Sequence, residues 1–191
     1  GRAVAEAAGK QLKKTTMELG GMDPFIVLAD ADMADVNDIA WRVRLYNCGQ
    51  VCTSSKRFIV ADAVYDDFLE ALRENFRRVV PGDPLDPATT LAPMNTAKAR
   101  TKLQGQVDAA LAAGATLIDG NTPIDLPGQF MRPTILADIT PDNPAYRTEM
   151  FGPAASVYRV HDEDEAVALA NDSPYGLGGI VFAGDPRHGA E

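Results

Sequence analysis

Apolar residues recur along the chain with two periods, one typical of helices and one typical of strands. Val4, Ala7, Ala8 and Leu12 share one face at helical spacing and predict a first helix. Asp32 is placed to cap a second helix, because its side chain can accept a hydrogen bond from the backbone of the first turn. The apolar stripes of this and later helices are Met33, Val36, Ala40 and Val43; Val64, Phe68, Leu72, Phe76 and Val79; Leu103, Val107, Ala110 and Leu111; and the run 162–170.

Short runs rich in β-branched and aromatic residues separate these helices and predict strands. The predicted strands cover residues 15–19, 24–29, 57–61, 115–118, 134–139, 154–160 and 178–182. Strands that alternate with helices predict a layered α/β fold with a mainly parallel sheet and helices on both faces. We expect a single domain over residues 1–191, with its functional residues in loops at the carboxyl ends of the strands.

The charge and the cysteine content narrow the class of protein. A net charge of −9 disfavours a nucleic-acid partner, since proteins that bind phosphate backbones concentrate Lys and Arg. No run approaches the ~20 apolar residues of a membrane span, and residues 1–14 lack the apolar centre of a signal peptide. Two cysteines are too few for a secreted disulfide framework. We therefore expect a cytoplasmic protein that does not bind a membrane. We also expect no metal site, since both histidines lie far from the cysteines in sequence.

Cys52 is the first candidate for chemistry. A Gly-containing turn follows the second helix and presents the thiol among small and polar residues, in the run Asn47-Cys48-Gly49-Gln50-Val51-Cys52. Backbone N–H groups in such a loop can favour the reactive thiolate. A cysteine in a reducing compartment is also commonly a small buried hydrophobic residue, and the residues alone leave both interpretations open. Cys48 is expected to be inert, because short loops rarely meet disulfide geometry.

Two acidic residues are further candidates. Glu18 lies in a short apolar run that leads into two glycines, where it is either a surface residue or a general base in a partly dry cleft. Glu149 precedes Phe151 and a Gly-Pro turn, which either directs both side chains into one pocket or anchors Phe151 in the core. No G-x-G-x-x-G motif of a dinucleotide site is present in the sequence.

Five segments together resemble the aldehyde dehydrogenase superfamily in their order and spacing. They are Glu18-Leu19-Gly20-Gly21, Asn47 to Cys52, Pro133-Thr134, Glu149 to Pro153 and Asn171 to Leu177. The resemblance covers essentially the whole chain. It implies an oxidoreductase that oxidises an aldehyde to a carboxylic acid through a thioester on Cys52, with hydride transfer to NAD or NADP. Glu18 would be the general base for hydrolysis, and Asn47 and Gln50 would fix the cysteine loop.

The same resemblance implies where the cofactor binds. Glu149 would bind the hydroxyls of the nicotinamide ribose, and Phe151 would pack near the nicotinamide ring. Leu19 and Gly20 would contribute to the same cofactor site. The backbone N–H of Cys52 would be one donor of the oxyanion hole.

The runs 23–28 and 56–60 are similar to those of bacterial succinate-semialdehyde dehydrogenases, which implies succinate semialdehyde as the small aldehyde substrate. A substrate carboxylate is best held by an Arg fork. Arg44 is the nearest candidate for that role, and a solvated helix residue is the alternative interpretation.

Members of this superfamily carry segments that the chain does not show. These are an N-terminal part with most of the Rossmann-type cofactor site and an oxyanion asparagine, and a C-terminal part with an oligomerisation hairpin. The resemblance therefore implies a homo-oligomer for the full-length enzyme, and weak or no activity for this chain alone. Two alternatives are a cysteine-dependent esterase or acyl transferase, which needs no hydride acceptor, and an inactive fragment that associates with itself.

Overall fold

Strands and helices alternate along the chain in the computed structural model, which describes residues 1–190. Glu191, the last residue of the predicted domain, lies outside the described residues. The strands are β1 (Pro24–Val27), β2 (Arg57–Ala61), β3 (Thr116–Asp119), β4 (Thr134–Ala137), β5 (Ala154–Val160) and β6 (Ile180–Phe182). The α-helices are α1 (Arg2–Lys10), α2 (Met33–Leu45), α3 (Asp62–Arg78), α4 (Ala97–Ala112) and α5 (Glu163–Asn171). Short 3-10 helices cover Tyr46–Gly49, Pro144–Arg147 and His188–Ala190.

These strands form one sheet in the order β3-β4-β5-β2-β1-β6. Every neighbouring pair is parallel except β3 and β4, which pair antiparallel. Parallel neighbours need a crossover between them, which α2 supplies between β1 and β2 and the segment with the 3-10 helix Pro144–Arg147 supplies between β4 and β5. The predicted α/β fold with a mainly parallel sheet is therefore confirmed.

Apolar side chains pack on both faces of the sheet. Phe25 and Val27 of β1 belong to the cluster that α2 and α3 cover, whereas Ile26 belongs to the cluster that α4 and α5 cover. This division follows from the strand, in which successive side chains point to opposite faces. The helical contributions are Val36, Ala40, Phe68, Leu72 and Phe76 on the first face, and Leu103, Val107, Ala110 and Ala166 on the second. Helices on both faces are thus confirmed.

The helix that leads to the cysteine loop begins and ends as its sequence dictates. The side chain of Asp32 accepts a hydrogen bond from the backbone N–H of Ala34 at 2.9 Å, which confirms it as the N-cap of α2. α2 ends at Leu45, directly before the 3-10 turn that contains Cys48. Burial of Val36 and Ala40 against the sheet therefore sets the position from which the loop starts.

Two features near the amino terminus differ from the sequence-based picture. The predicted strand at residues 15–19 is wrong, because no described residue pairs its backbone with this segment and an apolar run alone does not make a strand. Helix α1 is confirmed, but none of its residues is buried, and Val4 is 61% exposed. Leu12 lies beyond the end of α1 and is also exposed.

The candidate residues lie at the amino ends of the strands. Glu18 precedes β1, Cys52 precedes β2 and Glu149 precedes β5. Because these three strands are parallel, their amino ends meet at one edge of the sheet. The expectation of functional loops at the carboxyl ends is wrong for these residues, since they belong to the irregular segments that enter the strands.

Candidate active site

The cysteine loop is an unusual turn held by its own polar side chains. Asn47, Cys48 and Gly49 have φ values of 50°, 56° and 70°, so three successive residues adopt the left-handed region. The side-chain amide of Asn47 donates to the carbonyl of Gln50, and the side chain of Gln50 donates back to the carbonyl of Asn47, both at 3.3 Å. This reciprocal pair holds the backbone that leads to Cys52.

Gly49 is a position at which a side chain has no room. A Cβ there would collide with the carbonyl of Gly152 and approach Arg44 Nη2 to 2.5 Å. We therefore expect Gly49→Ala to destabilise the chain by roughly 3 kcal/mol, from backbone strain and overpacking together. Urea unfolding checks this. Gly105→Ala is the matched control, because nothing lies within 4 Å of its Cβ, and a stabilisation of about 0.5–1 kcal/mol is expected in that helix. Equal effects of the two substitutions would contradict the steric account.

The thiol of Cys52 and the carboxylate of Glu18 lie against each other. Cys52 Sγ is 3.9 Å from Glu18 Oε2, across 34 residues of sequence. Cys52 is half-buried and Glu18 is exposed. The partly dry cleft considered for Glu18 is thus absent from the described residues, and its carboxylate faces solvent while contacting the thiol. A nucleophile and a group able to accept a proton are brought together.

Cys48 differs from Cys52 in every respect that matters for reactivity. Its side chain is only 2% exposed and belongs to the core cluster beneath the sheet. Burial raises the pKa of the Cys48 thiol to about 12, and the opposing charge of Arg44 does not offset it. Both cysteines are free thiols. Cys48 therefore stays protonated near neutral pH, as expected for an inert residue.

Glu149 reaches the same edge from the segment before β5. Its Oε1 accepts a hydrogen bond from the backbone N–H of Gly21 at 3.2 Å. A Cβ on Gly20 would lie 2.7 Å from Glu149 Oε2 and 2.9 Å from a ring carbon of Tyr175. Only glycine therefore lets the backbone at position 20 approach the carboxylate this closely.

The remaining predicted cofactor residues are exposed beside this carboxylate. The Phe151 ring is 41% exposed and Leu19 is 56% exposed. Leu177 approaches the backbone at Gly21, where a Cβ would lie 2.6 Å from the carbonyl oxygen of Cys52. The structure thus brings Cys52 and Glu18 into contact, Glu149 against Gly20, and Phe151 beside Lys56, whereas Leu19 is exposed.

Lys56 is a residue of this site that the sequence-based reasoning missed. Its side chain is 1% exposed, and Nζ donates to the carbonyls of Val51, Cys52 and Ser54 at 2.9, 3.0 and 2.9 Å. Nζ also lies 3.4 Å from Glu149 Oε1. Burial lowers the pKa of Lys56 to about 8. The available signal was a pair of cations, Lys56 and Arg57, at the start of a predicted strand of mostly apolar residues.

Arg44 has neither of the roles considered for it. It is completely buried, and its guanidinium donates to the carbonyls of Ser55, Gly49 and Gly152 at 3.0, 2.8 and 2.5 Å. Burial lowers its pKa to about 10, so it remains a cation. Because Arg44 is buried, it is not a solvated helix residue. Its guanidinium donors already bind backbone carbonyls, so they do not form a fork for the substrate carboxylate. Arg44 joins the cysteine loop to the turn at Gly152.

The described residues show no competing centre with equivalent chemistry. A cavity of about 900 Å³ lies beside α3 and α5 and has no cysteine in its lining. Among residues 1–190, no three His, Cys, Asp or Glu side chains are grouped to hold a metal ion. No helix in this part of the chain is long and apolar enough to cross a membrane. The cysteine and carboxylate cluster is therefore the candidate active site.

Comparisons with known proteins show which family the chain resembles. The model of the aldehyde dehydrogenase family matches residues 1–191. The chain is 52% identical to a succinate-semialdehyde dehydrogenase [NADP(+)] of Deinococcus radiodurans, and the match covers 97% of the chain and 39% of that protein. It is 45% identical to a protein of the same name from Mycobacterium avium, with the same coverage. The chain thus spans about two-fifths of the length of these relatives.

Solved structures of aldehyde dehydrogenases have the same fold as this chain. The chain superposes on succinic semialdehyde dehydrogenase from Streptococcus pyogenes, solved with NADP+, with a TM-score of 0.96 at 52% identity. That superposition covers 100% of the chain and 42% of the solved one. An aldehyde dehydrogenase from Bacillus cereus, solved with NAD+, gives a TM-score of 0.94 at 28% identity and covers 39% of that chain. The chain belongs to the aldehyde dehydrogenase family.

Proposed function

We propose that residues 1–191 form the catalytic domain of an NADP- or NAD-dependent dehydrogenase that oxidises succinate semialdehyde to a dicarboxylic acid. The observation that carries the proposal is the contact between Cys52 Sγ and Glu18 Oε2 at 3.9 Å, beside Glu149. The relatives named for succinate semialdehyde and NADP(+) support the substrate and favour NADP. The full-length enzyme is proposed to be a cytoplasmic homo-oligomer.

The residues around Glu149 fit a nicotinamide cofactor. Its Oε1 faces Gly21 and Lys56, whereas no described residue donates to Oε2. Free carboxylate lone pairs suit the hydroxyl donors of a ribose. The glycine at position 20 leaves that carboxylate uncovered, and the exposed Phe151 ring offers an apolar surface beside it.

In the proposed reaction, the thiolate of Cys52 attacks the carbonyl carbon of the aldehyde and forms a thiohemiacetal. The backbone N–H of Cys52 donates to the oxyanion as it develops. The bound cofactor accepts the hydride from this carbon, which leaves a thioester on Cys52. Glu18 then takes a proton from water, the hydroxide attacks the thioester carbon, and the carbon–sulfur bond breaks. The products are the carboxylic acid, reduced cofactor and the regenerated thiolate.

The proposal is tested by assaying the intact protein with succinate semialdehyde, with butanal and with an activated ester. We expect aldehyde-dependent reduction of NADP+, with kcat/KM higher for succinate semialdehyde than for butanal by about 10-fold or more, since a site built for a carboxylate rejects the analogue that lacks it. Ester hydrolysis without aldehyde oxidation would instead support the esterase alternative. Self-association together with an unreactive Cys52 would support the inactive fragment.

A further inference from the structure

Lys56 is a buried cation at the candidate site for which the reaction described above has no use. Its ammonium carries three protons, and all three are engaged by the carbonyls of Val51, Cys52 and Ser54. Its contact with Glu149 at 3.4 Å is therefore chiefly ionic. A lysine whose side chain is 1% exposed is rare unless it is paired, so its placement requires an explanation.

We propose that Lys56 is a positioning residue that couples the Cys52 loop to Glu149, so that the nucleophile and the cofactor carboxylate form one unit. This inference rests on the proposed function. One ammonium group contacts three carbonyls of the loop and the carboxylate of Glu149, which lies 93 residues after Lys56 (149 − 56). Its positive charge lies within hydrogen-bonding distance of the backbone of Cys52 itself.

The charges around Lys56 support a role that depends on its ammonium. Burial first and the charge of Arg44 second lower the pKa of Lys56 to about 8, against the opposing effects of Glu149 and Asp23. The ammonium is therefore the main form at pH 7. A nearby cation favours a thiolate, and Glu149 helps to keep Lys56 in this cationic form. The charge of Glu149 should thus influence Cys52 mainly through Lys56.

Arg57 provides a matched control for this inference. It is also buried, and its guanidinium donates to three carbonyls, those of Met22, Leu169 and Ala170. Leu169 and Ala170 lie at the end of α5 and Met22 lies just before β1, and none of the three belongs to the Cys52 loop or to the Glu149 segment. Removing Arg57 therefore leaves an equivalent set of buried carbonyls without a donor at a different place.

The test measures the alkylation rate of Cys52 by iodoacetamide at pH 7, using mass spectrometry, with Cys48 as an internal reference. Lys56→Met removes the ammonium, Lys56→Gln keeps donors without the charge, and Lys56→Arg keeps the charge. We expect the Met and Gln variants to react roughly 5- to 10-fold more slowly than the unmodified chain, and the Arg variant to stay within about 2-fold of it. Arg57→Met should also stay within about 2-fold. The Gln variant keeps the test valid if the Met variant does not fold.

A double-mutant cycle then tests the coupling itself. Glu149→Gln removes the carboxylate that pairs with the ammonium and helps to keep it protonated, and is expected to slow Cys52 alkylation at pH 7 by roughly 3- to 10-fold in the unmodified chain. In the Lys56→Gln background the same change should alter the rate by less than about 2-fold. An equal effect of Glu149→Gln in both backgrounds would overturn the inference.

Other outcomes separate this inference from the proposed function. Normal alkylation in Lys56→Gln would mean that the lysine only satisfies carbonyls, and it would overturn the inference while leaving Cys52 reactive. A slowing in Arg57→Met as large as that in Lys56→Gln would do the same, because it would show a general loosening of the chain. An unreactive Cys52 in the unmodified chain would contradict the proposed function, and the inference with it.

Discussion

Replacing Cys52 by alanine is expected to abolish aldehyde oxidation by the intact protein, with kcat lower by roughly 10⁴-fold or more, as for other nucleophile deletions. The reason is that no other described thiol is placed to attack the substrate, since Cys48 is buried and its pKa is raised to about 12. Steady-state kinetics with succinate semialdehyde and NADP+ measure the loss.

Cys48→Ala is the matched control for this substitution. It removes a sulfur atom from the same loop, four residues earlier, and leaves Cys52 and Glu18 in place. Its kcat should stay within about 3-fold of that of the unmodified protein, with a stability cost of about 1 kcal/mol for the lost packing. A larger loss of activity in Cys48→Ala than in Cys52→Ala would contradict the assignment of Cys52 as the nucleophile.

Glu18→Gln is expected to lower the steady-state kcat by roughly 10²-fold or more, the usual loss when a general base is removed. The amide keeps the size of the side chain but cannot take a proton from water. Since the thiol can still attack the aldehyde, the first turnover should still produce reduced cofactor as a rapid burst. Stopped-flow absorbance separates that burst from the slow later turnovers.

The exposed carboxylate of Glu70, on α3, serves as the control for this loss. It pairs with Arg73 on its own helix, so Glu70→Gln should leave both kinetic phases unchanged. Loss of the burst together with the steady rate in Glu18→Gln would assign Glu18 to the attack on the aldehyde. It would not support a role in hydrolysis.

The period of apolar residues was enough to predict most of the helices and strands. The stripe through Phe68, Leu72 and Phe76 is buried as expected, and β5 has the predicted bounds 154–160. The run at residues 15–19 failed because strand formation depends on a partner, which local sequence does not report. Local sequence patterns likewise could not predict the order of strands in the sheet. They also could not predict at which end of the strands the candidate residues meet.

Only part of the candidate site could be predicted from the sequence. The motifs identified Cys52, Glu18 and Glu149, and the structure brings them together. Lys56 was missed and Arg44 was misread, because their burial depends on backbone carbonyls such as those of Gly152 and Cys52. A charged side chain within a sequence gives no sign of whether backbone carbonyls or water will surround it.

The most direct test of the central claim is the mass of the intact Glu18→Gln protein after brief mixing with succinate semialdehyde and NADP+. The account predicts that an acyl group accumulates as a thioester on Cys52, that peptide mapping places it there, and that hydroxylamine releases it. No thioester forms if NADP+ is omitted or if Cys52→Ala is combined with Glu18→Gln. Reduced cofactor produced in a burst without an adduct on Cys52 would contradict the assignment of Cys52 as the nucleophile and Glu18 as the base.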